Sequence, residues 1–171
     1  DTLTGGGANN AIAGLDGNDL LIADDNLFNN LFGGDGADTL QDGAERDFLT
    51  GGSGGDTFVF QTGGGLANVI NDFTAGAGVD DILDVSAFGL ADLAAVQGIA
   101  TDQGNDVLLQ LDATTSVVLS NVQTADLVDD DFAFGQGGQQ GAGAGGGNNV
   151  FDVTSLNGDN GFRVNGNSNT E

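Results

Sequence analysis

The chain has no cysteine, histidine, lysine, proline, tyrosine, tryptophan or methionine, and its only cationic side chains are Arg46 and Arg163. Without cysteine there are no disulfides and no thiolate metal sites. Losing histidine, lysine and tyrosine as well removes the usual nucleophiles, most general bases and the nitrogen ligands of zinc. Serines such as Ser53 and Ser86 have no base to activate them, and acid runs such as Asp129, Asp130 and Asp131 read as a solvated or ion-binding face. No catalytic constellation is visible, and a non-enzymatic role is expected. Two arginines make no basic patch, which excludes a nucleic-acid partner. No run approaches the roughly 20 apolar residues of a membrane span, and no signal peptide is visible. The missing initiator methionine, with Asp1 standing mid-repeat, suggests a piece of a longer product.

What the chain does have is acid. Its 171 residues include 26 aspartates and glutamates, for a formal charge of −24. Such a load of one sign opposes compaction. Yet 39% of the residues are hydrophobic, too many for a disordered acidic tail. A core combined with an unneutralised acidic load implies a missing counter-charge, and divalent cations are the natural candidates.

The acids are periodic. Aspartate or asparagine recurs at Asp1, Asn10, Asp19, Asn29, Asp38, Asp47 and Asp56. Two positions after each stands Leu3, Ile12, Leu21, Leu31, Leu40, Leu49 or Phe58, at a spacing of nine with one inserted residue near Ala23. A period this short predicts an all-β solenoid, each bar a glycine-rich turn and a short strand with one inward apolar residue.

Two bars make one turn of a flattened coil, so alternate bars place their turns on the same edge. The first edge carries Gly14 to Asp19, Gly33 to Asp38 and Gly51 to Asp56, each with glycine fourth and aspartate sixth. The second edge has Ala8, Leu27 and Glu45 at the fourth position and Asn10, Asn29 and Asp47 at the sixth. Calcium takes six to eight oxygens from carboxylates and backbone carbonyls in flexible geometry, whereas magnesium demands a near-ideal octahedron. Stacked glycine-aspartate turns supply that oxygen set. The candidate ligands are Asp1, Gly14, Asp16, Gly17, Asp19, Gly33, Asp35, Gly36, Asp38, Gly51, Ser53, Gly54 and Asp56. Ca2+ is expected between Asp1 and Asp19, Asp19 and Asp38, and Asp38 and Asp56, with a further ion between the Asp56 turn and one containing Gly78 and Asp80. The second edge is expected to bind weakly or not at all.

Residues 1–60 therefore form the roll, and residues 61–134 read as a β-rich cap over its last rung. Within the cap, Val69–Phe73 is a strand, Gly76–Ile82 an irregular turn of the same kind, and Leu90–Val96 a short helix. Val107–Leu111 and Ser116–Leu119 form a hairpin around Asp112–Thr115, and Asp131–Phe134 closes the region. Residues 135–149 have a linker composition, and 150–171 hold too little apolar sequence to fold alone.

The bars, above all 33–41 and 51–59, resemble the RTX (hemolysin-type) calcium-binding repeat, glycine-glycine-x-glycine-x-aspartate-x-apolar-x. Asp56–Phe60, Asn71-Asp72-Phe73, Asp84–Gly89 and Ala125-Asp126-Leu127 through Asp131-Phe132 resemble the C-terminal region of serralysin-type proteases and related secreted proteins. Val150–Gly166 is weakly similar to the opening of FG-GAP repeats, without their calcium loop. The resemblance implies a parallel β-roll, extracellular calcium binding, folding driven by calcium and export by a one-step (type I) secretion system. The role expected is part of a cell-surface structural protein such as an S-layer, sheath or filament, and the alternatives are the secretion and folding module of an exported enzyme (a protease or polysaccharide-modifying enzyme) or a segment of a large adhesin. Self-association or contact with other surface proteins or polysaccharide is the expected partnership.

Overall fold

The computed structural model describes residues 1–7, 9–23, 28–65, 67–78 and 81–135. Apart from Gly135, the expected linker and the tail, including the FG-GAP-like stretch, lie outside the described residues, as do Ala8, Leu27 and Asp80.

The nine-residue period becomes two facing sheets. One holds β1 (Thr2–Thr4), β3 (Leu20–Ile22), β5 (Thr39–Gln41), β7 (Thr57–Val59), β9 (Ile82–Asp84) and β13 (Phe132–Ala133), all parallel. The other runs in the order β10 (Ala100–Gln103), β11 (Asp106–Gln110), β12 (Ser116–Leu119), β8 (Asn68–Ile70), β6 (Phe48–Ser53), β4 (Asn29–Asp35) and β2 (Asn10–Asp16). It is parallel from β12 to β2 and antiparallel across β10–β11–β12.

The register stacks the inward residues into two columns. Leu3, Leu21, Leu40, Phe58, Leu83 and Phe132 follow one another in the first sheet. Ile12, Leu31, Leu49, Ile70, Leu119 and Val107 do so in the second. Apart from partly buried Leu3, every member is buried. Each buried side chain of this size stabilises by about 1.5–3 kcal/mol. The residues between them alternate outward, as a period of two requires, and this leaves Phe32 exposed beside buried Leu31.

The turns close tightly because of glycine. Gly36 has φ 138°, and a side chain there would run into the Gly17 carbonyl of the neighbouring rung.

Beyond residue 60 both sheets continue. The strand expected at Val69–Phe73 is confined to Asn68–Ile70, and the hairpin forms around Asp112, whose carboxylate accepts from the Thr114 and Thr115 amides. β10 was not expected from the sequence. The helix, expected at Leu90–Val96, spans Leu93–Ile99 as α1. It starts later because Asp92 caps it, its Oδ1 accepting from the Ala95 amide at 2.9 Å. α1 lays buried Val96 over the core.

Candidate metal centre

The three glycine-aspartate turns are stacked along one edge by the strands that follow them. Asp19, Asp38 and Asp56 precede β3, β5 and β7, and are 5%, 1% and 1% exposed. Their Oδ1 atoms join the rungs. The Asp19 amide donates to Asp38 Oδ1 at 2.8 Å, Asp38 to Asp56 Oδ1 at 2.9 Å, and Asp56 to Asp81 Oδ1 at 3.0 Å. The Asp1 amino group meets Asp19 Oδ1 in the same manner.

The Oδ2 atoms are left over. Asp19 Oδ2 and Asp38 Oδ2 are buried and have no hydrogen-bond partner. Each is turned toward the first glycine of its own turn. A Cβ on Gly14 would lie 2.5 Å from Asp19 Oδ2 and 2.6 Å from the Gly33 carbonyl. A Cβ on Gly33 would meet Asp38 Oδ2 and the Gly51 carbonyl in the same way. So at two successive rungs a carboxylate oxygen and a carbonyl oxygen converge on a gap kept open by glycine, with no donor between them. Buried acceptors without donors are strongly unfavourable. A hard cation that prefers oxygen removes that penalty, and the donor set fits calcium. Among the described residues no three acidic side chains gather as a metal cluster. A site here gathers fewer than three acidic side chains, so backbone carbonyls must supply the rest of its oxygens.

The sequence-derived candidates divide accordingly. Gly14, Gly33 and Gly51 lie against the carboxylates of Asp19, Asp38 and Asp56. Gly17, Gly36 and Gly54 form the stacked turn backbone. Asp16, Asp35 and Ser53 are in register but exposed, and the Asp35 and Ser53 carbonyls accept from the Gly17 and Gly36 amides. Asp1 is also exposed. Gly78 stands in open space.

Two further acids take part. Asp81 holds the rung after Asp56, because Ile82 pairs with Thr57 and the Asp56 amide donates to Asp81 Oδ1, while Asp80 lies outside the described residues. The interval from Asp56 is irregular there, and counting could not choose between adjacent aspartates. Asp72 accepts from the Gly51 and Gly52 amides at 3.0 and 2.9 Å. Its signal was the Asn71-Asp72-Phe73 motif, which names the residue without its role. Burial, opposed by the Asp38 amide and aided by the Asp81, Asp38 and Asp72 carboxylates, pushes Asp56 up to about 6. The first edge is thus short of positive charge.

The second edge differs. Asn10 Nδ2 donates to Asn29 Oδ1 at 3.0 Å, and Asn29 donates to Asp47 Oδ1 from both its amide (2.8 Å) and Nδ2 (3.1 Å). Asp47 in turn donates to Asn68 Oδ1 at 2.7 Å, while Asp47 Oδ2 accepts from the Gly43 amide at 2.8 Å. Burial raises the Asp47 pKa from its ordinary value despite these bonds. Beside them, Asp42 is buried with only long contacts, from the Gln61 amide at 3.2 Å and Asn68 Nδ2 at 3.4 Å. Burial pushes it up to about 8. Arg46, the only side-chain cation among the described residues, rests on the Phe48 ring at 4.7 Å.

Asp42 gives a pH prediction. Its folded pKa lies above its unfolded value, so the native state binds the proton more tightly and Asp42 favours folding only while protonated. That contribution falls as pH rises from about 4 to about 8. Asp42→Asn should flatten the decline in urea stability between pH 6 and 8.5 in calcium-saturated protein. An unchanged slope would show that Asp42 is not its source.

Residues 6–145 match the family described as peptidase M10 serralysin C terminal. Similar solved structures include two subunits of the Azotobacter vinelandii mannuronan C5-epimerase. The AlgE6R3 subunit aligns with 94% of this chain and 94% of its own at 22% identity and a TM-score of 0.56, a likeness of fold. The AlgE6R2 subunit aligns with 74% of this chain and 92% of its own at 28% identity and a TM-score of 0.50. No curated protein matches the sequence.

Proposed function

The chain belongs to the peptidase M10 serralysin C-terminal family, whose RTX repeats form a β-roll, and on that premise we propose that it is a non-catalytic, calcium-binding module of an exported protein. The observation that carries the reading is the pair of buried, partnerless carboxylate oxygens on Asp19 and Asp38, each facing a carbonyl across a glycine gap. Asp19, Asp38 and Asp56, with the carbonyls of the stacked turns, would hold the ions. Bound calcium supplies positive charge to an edge that has no cationic side chain among the described residues.

The module folds when it meets extracellular calcium. In a low-calcium cytosol the first edge repels itself, which keeps the chain loose enough for export. Attachment to an exported enzyme is favoured over a surface scaffold by the family description and by the epimerase subunits of similar fold. Any catalysis then resides elsewhere in the parent protein, since this chain lacks histidine, cysteine, lysine and tyrosine. Among the described residues no helix is long and apolar enough to cross a membrane. Leu15, Phe28 and Phe32 are exposed apolar side chains.

Calorimetric titration of chelator-treated protein tests the reading. About three ions should bind at 10⁻⁴–10⁻³ M, the range of extracellular modules. Absence of calcium binding in that range would overturn it.

A further inference from the structure

The two edges of the roll solve one electrostatic problem in different ways. On each, the backbone N–H of one rung donates to a side-chain oxygen of the next, as between Asp19 and Asp38 or Asn29 and Asp47. The difference lies in the remaining side-chain atom. On the first edge it is a carboxylate oxygen, and at Asp19 and Asp38 it has no partner. On the second it is the amide nitrogen of an asparagine or an oxygen already served by a backbone donor. Asn10 Nδ2 reaches Asn29 Oδ1 at 3.0 Å, Asn29 Nδ2 reaches Asp47 Oδ1 at 3.1 Å and Asn68 Nδ2 reaches the Gly64 carbonyl at 2.8 Å. The lone rung carboxylate, Asp47, has the Gly43 amide on its second oxygen.

We infer that the second edge is a metal-independent seam, in which asparagine amides and backbone N–H groups fill the place that cations take on the first, so that calcium controls one side of the roll only. The inference rests on the calcium reading of the first edge. Its chemistry is an exchange of donor for acceptor. Aspartate contributes two acceptors and a charge, whereas asparagine contributes one acceptor and two donors at no charge. Asn29, Asp47 and Asn68 are fully buried, and a buried amide ladder of this kind is stable only when each group is paired. Losing calcium removes nothing from this seam, while it leaves Asp19, Asp38 and Asp56 unneutralised.

Hydrogen exchange on the whole chain, with calcium and after chelation, reads both edges at once. After chelation the amides of Asn29, Asp47, Val69 and Asn71, all bonded along the second edge or its sheet, should stay protected at least about tenfold longer than those of Asp19, Asp38, Thr39 and Thr57. Equal loss on both edges overturns the seam and leaves the calcium reading standing. No loss on either edge overturns the calcium reading itself. Asn29→Asp provides a second measure, because it replaces a donor with a charge facing Asp47. It should raise the calcium concentration at the folding midpoint at least about threefold, since the seam loses a hydrogen bond and gains a repulsion. A midpoint that is unchanged or lower would mean that the second edge takes an ion as the first does, and the seam would be rejected.

Discussion

Chelation at neutral pH is expected to abolish the part of the far-ultraviolet β signal that the first sheet supplies, ahead of the second, and added calcium to restore it. An ion that binds only the folded state stabilises it by about 2.7 kcal/mol when present at a hundred times its Kd. About three such ions contribute about 8 kcal/mol, comparable with the 5–15 kcal/mol that separates most folded domains from their unfolded chains. The chelated roll must also keep Asp19, Asp38, Asp56 and Asp81 buried in one column. Proton binding offers partial relief. Asp56 is pushed up to about 6, so its protonated form favours the native state, and this contribution disappears as pH rises from about 4 to 6. Metal-free protein should therefore regain first-edge structure near pH 4–5 and lose it near pH 7. A chelated sample whose spectrum at pH 7 matches the calcium-loaded one would rule out calcium as the missing counter-charge.

Gly33→Ala should have the next largest effect. Gly33 has no left-handed φ, so its backbone tolerates alanine, and the strain comes from what the methyl group meets. It would enter the gap between Asp38 Oδ2 and the Gly51 carbonyl. Overpacking of that kind costs about 1–3 kcal/mol. Loss of the ion from the same gap costs about 2.7 kcal/mol more at saturating calcium, for a total of about 4–6 kcal/mol. Titration should count one ion fewer, and the urea midpoint in calcium should fall steeply. Gly98→Ala is the control. Gly98 lies within α1 with nothing near a Cβ, and alanine there should be neutral or stabilise by up to about 1 kcal/mol. If Gly33→Ala bound the full set of ions, the gap would not be where calcium sits.

Much of the architecture was legible in the chain because a solenoid repeats one local solution. Leu21, Leu40 and Phe58 announce one column and Ile12, Leu31 and Leu49 the other, and the structure stacks them as spaced. Legibility failed where the period did. The step from Asp56 to the next rung is long, and only strand pairing shows that Asp81 takes it. β10 leaves no mark in the sequence because Ala100–Gln103 is mostly exposed and carries no inward apolar alternation, existing through its pairing with β11. α1 was placed early because Leu90 fits helical spacing, whereas the Asp92 cap sets the start.

The amino-acid sequence alone determined the coil, its two columns and the acidic bias of one edge. These follow from spacing, and parallel stacking of identical bars carries spacing directly into space. Only the tertiary structure decided which atoms lack partners. Whether an aspartate oxygen meets a donor, as Asp47 Oδ2 does at Gly43, or faces a carbonyl, as Asp19 Oδ2 does at Gly33, depends on neighbours a full turn away or on how the chain bends back. A burial penalty arises from that local balance of donors and acceptors, and no count of acids along the chain contains it.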